Sequence, residues 1–218
     1  SSSWVSYTDG YMISSAFTDG EYQFRAVDKA GNISVTRNIV FDTEKPTMIM
    51  NSEFTSVANG YKSTGRYVRA LAKDNGSGIK VIYYKRPDAL SYTEYSEGVL
   101  LKENGEYSFY CEDNAGNVSQ TYTISLDNTK PTLTSSVGGF RKTVKGGFTV
   151  MASDNFSGAT LYYKTPNSSS YVSTGSSVTF YKTATNGTYA FYAVDGYGNK
   201  SATYYMYVSI DAPEATIV

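Results

Sequence analysis

Residues 105–119, GEYSFYCEDNAGNVS, have two near copies in the same chain: GEYQFRAVDKAGNIS at 20–34 and GTYAFYAVDGYGNKS at 187–201. The copies start 85 and 82 residues apart, so the chain of 218 residues carries a period near one small domain. Within each copy the residues alternate. Tyr22, Phe24 and Ala26 face one way, as do Tyr107, Phe109 and Cys111, and Tyr189, Phe191 and Ala193. A period of two in an aromatic-rich run predicts a half-buried strand. The following DKAGN, DNAGN and DGYGN combine an Asp that can accept backbone N–H groups with a Gly that takes positive φ cheaply. Each copy therefore reads as strand, tight turn and the start of a second strand.

Outward from this phrase the remainder is also short strands between turn residues. PTMIM and PTLTS follow a proline; YVRALAKDN aligns with FTVMASDN, which sets Val68, Ala70 and Ala72 beside Phe148, Val150 and Ala152 as inward positions. IKVIYYKR and ATLYYKT come next. The strand density, the Gly/Asn/Asp/Ser punctuation and the lack of a helical apolar period predict an all-β sandwich.

Composition narrows the function. The 19 basic and 20 acidic residues nearly cancel with no basic run, which speaks against nucleic acid or an anionic membrane as partner. No stretch has the roughly 20 apolar residues of a spanning helix, and SSSWVSYTDG is not a signal peptide. With no histidine and one cysteine, Ser–His and Cys–His nucleophile pairs and the common zinc sites are absent. Cys111 stands where the other copies have Ala26 and Ala193, which marks it as a small core residue. Carboxylate pairs such as Glu112 and Asp113 recur with the scaffold, whereas an active site occurs once; no enzyme is expected. Nothing marks a unique Lys–Asn pair for a covalent crosslink.

The signature G-x-Y-x-F, D-x-x-G-N-x-S and D-x-x-x-P resembles the bacterial immunoglobulin-like repeats of surface adhesins and cell-wall proteins. The third copy departs from it at Tyr197 and in DAPEA. The resemblance implies tandem immunoglobulin-like sandwiches in an extended array, with repeats at 43–127 and 128–211, an incomplete repeat at 1–42 and the start of another at 212–218. It implies that Tyr22, Tyr107 and Tyr189 bond back to the backbone at a chain corner, and that Phe24, Phe109 and Phe191 fill the place of a disulfide cysteine. It also implies an extracellular or cell-surface location, with neighbouring repeats of the same polypeptide as partners.

An immunoglobulin-like fold would bring the incoming linker, the B–C loop and the F–G loop to one pole. Those segments carry Asp42, Asp74 and Asp113 in one repeat, and Asp127, Asp154 and Asp195 in the next, with Asn75, Asn117, Asn155 and Asn199 nearby. Two readings stand open: the carboxylates cap turns, or each trio holds a structural calcium ion. No other cofactor is required. The expected function is a stalk or spacer that projects another module. The alternative is a glycan- or host-binding module, suggested by the 22 tyrosines and the pairs Tyr83–Tyr84, Tyr162–Tyr163 and Tyr204–Tyr205. Adjacent strand residues point to opposite faces, so each pair predicts one core and one surface tyrosine.

Overall fold

A computed structural model of the chain describes residues 4–7, 12, 17–49, 53–58, 60–63, 65–181 and 184–209. The residues expected to open a further repeat, 212–218, lie outside this set. The described residues form an all-β protein of eighteen strands that divides into two compact units. One comprises residues 1–61, 68–101 and 106–124; the other comprises 62–67, 102–105 and 125–218.

The first unit opens with an antiparallel hairpin, β1 (Gly20–Phe24) and β2 (Arg37–Phe41), in which Tyr22 faces Ile39. Next along the chain come β3 (Thr47–Met48), β4 (Phe54–Val57), β5 (Gly60–Ser63), β6 (Ala72–Lys73), β7 (Ile79–Lys85), β8 (Thr93–Glu94), β9 (Gly105–Asp113) and β10 (Tyr122–Leu126), of which β5, β9 and β10 have end residues counted with the second unit. Six of these make one sheet in the order β4-β5-β10-β9-β7-β8, while β3 pairs with β6. Alternation along β9 is strict: Tyr107, Phe109, Cys111 and Asp113 are buried and their neighbours are not. Cys111 is a fully buried free thiol, as its alanine counterparts predict.

The segment expected to be a continuous strand over 67–73 is regular only at Ala72–Lys73, with an isolated bridge between Val68 and Leu101. A side chain replaces the missing ladder. The amide of Ala70 donates to the hydroxyl of buried Tyr95 at 3.2 Å, and that hydroxyl donates to the carbonyl of Val99. Val68 and Ala70 are buried as expected; Ala72 is only half-buried.

The second unit is the more regular. Its strands are β11 (Thr132–Ser135), β12 (Thr143–Val144), β13 (Phe148–Ser153), β14 (Ala159–Lys164), β15 (Val172–Thr174), β16 (Ser177–Phe180), β17 (Gly187–Asp195) and β18 (Tyr204–Val208). One sheet runs β11-β13-β16 and the other β12-β18-β17-β14-β15, with β12 parallel to β18. Phe148 of β13 meets Tyr189 and Phe191 of β17 edge-on, with ring centroids 6.0 and 6.2 Å apart, so aromatic packing joins the two sheets where antibody domains use a disulfide. Leu161, Ala193, Met206 and Val208 complete this core. The hairpin β1–β2 is covered less: Tyr7 packs edge-on to Phe24 and Phe17 to Tyr22, yet Ile39 is 53% exposed, whereas Met206, in the same register opposite Tyr189, is fully buried.

The tyrosine corner is present. Tyr22 Oη donates to the carbonyl of Thr18 at 2.7 Å, and Tyr189 Oη to that of Thr185 at 3.1 Å. The paired tyrosines also separate as the strand geometry requires. Tyr84 packs on Phe109 and Tyr95, while Tyr83 stacks on Tyr110 on the other face.

Candidate cation sites

The recurring turn is built the same way three times. In each copy one carboxylate oxygen of the leading Asp accepts two backbone amides: Ala30 and Asn32 on Asp28, Ala115 and Asn117 on Asp113, Tyr197 and Asn199 on Asp195, all at 2.8–2.9 Å. The other oxygen accepts the amide side chain of Asn32, Asn117 or Asn199. Gly31, Gly116 and Gly198 sit at φ of 90°, 93° and 88°, which explains the glycine that follows. The Ser that ends each phrase has an equally fixed task. Ser34, Ser119 and Ser201 accept, on Oγ, the amides of Ala26, Cys111 and Ala193, and donate to the carbonyl one residue on. Its presence in all three phrases was the available sequence signal for this role.

Asn117 and Asn199 reach further. Their Nδ2 atoms donate to the backbone carbonyls of Asp42 (3.0 Å) and Asp127 (2.9 Å), the linker residues that begin D-x-x-x-P. The turn thus latches the incoming linker. Pro46 and Pro131 are buried just beyond it, and fix the chain's direction.

Both expected aspartate trios are brought together. In each trio one carboxylate oxygen per residue lies within 4.8 Å of the others. Three oxygens spaced evenly around a calcium ion at 2.3–2.6 Å lie at most about 4.0–4.5 Å from one another, so the trios are close to the spacing that one ion requires. Asn75 and Asn155 are both exposed, and Asn117 and Asn199 point their side-chain donors at oxygens.

Capping uses only part of each carboxylate set. In the first trio Asp42 accepts Glu44 N on Oδ1 (3.0 Å) and Ser77 N on Oδ2 (2.7 Å). Asp74 accepts Gly76 N and Gly78 N on Oδ2, and its Oδ1 is buried with no donor. In the second trio Asp127 accepts Thr129 N (2.8 Å) and Asn104 Nδ2 (3.3 Å), both on Oδ1. Its Oδ2 is buried and has no donor, although the residue is only 3% exposed. Oδ2 of Asp154 is in the same state. The electrostatics follow. The Ser77 hydrogen bond holds the Asp42 carboxyl below its ordinary value. Burial, then the charges of Asp154 and Asp195, push that of Asp127 up.

The surface tyrosines form a second feature. Tyr162 stacks on Tyr192 at 4.9 Å with Tyr171 edge-on to it, and Lys200 lies 3.7 Å above the Tyr192 ring. Tyr83, Tyr110 and Tyr92 repeat this arrangement in the first unit. Tyr205 and Tyr207, 39% and 44% exposed, have no such counterpart, because the equivalent strand β10 carries Thr123 and Ser125.

The chain matches no model of a known protein family, and no curated protein matches it. Among solved structures it is similar to the chicken CNTN1 FN1-FN3 domains at 13% identity, over 86% of this chain and 76% of that one, with a TM-score of 0.31. It is also similar to Bacteroides ovatus SGBP-B, from a mixed-linkage glucan utilization locus and in complex with a mixed-linkage heptasaccharide, at 15% identity. That match covers 88% of this chain and 55% of the other, with a TM-score of 0.22. The functional reading rests on side-chain geometry.

Proposed function

We propose that the chain is a structural spacer segment of a bacterial surface or secreted protein. Immunoglobulin-like sandwiches serve there as mechanical units, next to further repeats of the same polypeptide. Calcium held by Asp42, Asp74 and Asp113, and by Asp127, Asp154 and Asp195, completes the fixing of each linker. No catalysis is assigned to the chain. The observation that carries this reading is Oδ2 of Asp127, a buried carboxylate oxygen without a donor beside two further carboxylates. A buried unpaired charge is costly, and a hard cation with oxygen ligands removes the cost. Chelation should lower the melting temperature of the full chain and shorten its maximum dimension in solution scattering, both reversed by added calcium. Curves that do not respond to chelator in either measurement contradict the reading.

A second reading, glycan binding, has one specific observation in its favour. Tyr205 and Tyr207 expose aromatic surface on one sheet only, beside the Tyr162–Tyr192 stack. Ring faces of this kind stack on sugars. Saturable binding on a glycan array that is lost in Tyr205→Ala/Tyr207→Ala supports a binding module; an empty array leaves the spacer reading alone.

A further inference from the structure

The two trios share their aspartates but differ in how far the protein satisfies them itself. Among the described residues the first leaves one buried carboxylate oxygen without a donor, on Asp74, and the second leaves two, on Asp127 and Asp154. The difference traces to one position in the B–C loop, DNGSG at 74–78 against DNFSG at 154–158. The backbone at Gly76 runs directly against the linker carboxylate. A Cβ there would lie 2.5 Å from both oxygens of Asp42, so only glycine lets the chain pass. That approach puts Ser77 N on Asp42 Oδ2 at 2.7 Å.

Phe156 occupies the matching place, and its Cβ forbids the same approach. Its ring packs on Tyr197 instead, centroids 5.8 Å apart, where the first unit has Ala115. Ser157 N accordingly donates to Asp154 at 3.0 Å rather than to the linker carboxylate. Asp127 Oδ2 stays buried and unpaired. Lys73 also stands next to Asp74, where Ser153 stands next to Asp154.

From this we infer that the trios are unequal cation sites: Asp127, Asp154 and Asp195 form the tight one, Asp42, Asp74 and Asp113 the weak one, and the residue after Asp-Asn sets the difference. In the first site a cation must compete with a backbone donor for Asp42, whereas in the second it meets one oxygen on Asp127 and one on Asp154 that have no other partner. A hydrogen bond to a charged group contributes about 1.5–3 kcal/mol, which corresponds to about tenfold or more in affinity. The inference rests on the calcium reading above, and the experiment separates the two.

Calorimetric titration of the chelator-treated full chain with calcium should show one tight binding event and a second at least about tenfold weaker. Asp127→Asn should remove the tight event and Asp42→Asn should spare it. Phe156→Gly, which keeps every carboxylate, should weaken the tight event about tenfold by allowing Ser157 N onto Asp127. The transplant Gly76→Phe/Ala115→Tyr should tighten the weak one. Circular dichroism identifies any variant that fails to fold, and Phe156→Gly then decides. Two events of equal affinity, or a tight event lost in Asp42→Asn and kept in Asp127→Asn, overturn the ranking and leave the calcium reading in place. No binding at either site overturns the calcium reading itself. An unchanged tight event in Phe156→Gly overturns the role of that loop position.

Discussion

Asn199 occupies one turn position yet holds two distant parts of the chain. Its amide bonds the Asp195 carboxylate four residues away and the Asp127 carbonyl 72 residues away. Replacing it with Ala removes both bonds and leaves partly buried acceptors, so denaturant unfolding should show a loss of about 1–3 kcal/mol. Gly116 poses a different case. A Cβ there meets nothing within 4 Å, so Gly116→Ala should cost only the strain of positive φ, about 1–2 kcal/mol. A negligible loss would show that the turn relaxes. At this scale the leading Asp and the Gly of each phrase are legible in sequence, because turn chemistry acts over four residues. The latch of Asn117 and Asn199 is not, because its acceptor lies in a linker that only the fold brings near.

Among the strands the same division holds. The β9 and β17 alternation is read directly from GEYSFYCED and GTYAFYAVD, since burial on one face imposes a period of two. The broken strand over 67–73 could not be read this way. Its local pattern matches that of β13, and the difference comes from the Tyr95 hydroxyl inserted at Ala70. Tyr95→Phe keeps the buried ring and deletes that hydroxyl. It should destabilise the fold by about 1–3 kcal/mol with little change in aromatic packing, measurable as a lower denaturant midpoint at unchanged slope. An unaltered midpoint would mean that the Ala70 amide finds another acceptor.

For the whole molecule the buried aspartates set the response to pH and, on the proposed calcium reading, to cations. Positions of both trios were legible from the linker, B–C and F–G segments once an immunoglobulin-like topology was assumed. Their unequal satisfaction was not, since it depends on how close Gly76 approaches Asp42. The Asp127 carboxyl is raised above its ordinary 3.8, so the folded state holds that proton more tightly than the unfolded chain. Cation-free protein should therefore gain stability as pH falls from neutral through the raised value towards 3.8, and lose it as pH rises. Asp28 and Asp42 act in the opposite sense, because their lowered values contribute stability that disappears only in stronger acid. In chelator, Asp127→Asn should remove the gain on mild acidification and raise the melting temperature at neutral pH; a variant with the wild-type pH profile would contradict the assignment. The most direct test of the account is an anomalous difference map from crystals of the chain grown in calcium. It predicts a peak among Asp127, Asp154 and Asp195 about 2.3–2.6 Å from an oxygen of each. A featureless map there, with a water or a backbone amide on Oδ2 of Asp127, would contradict it.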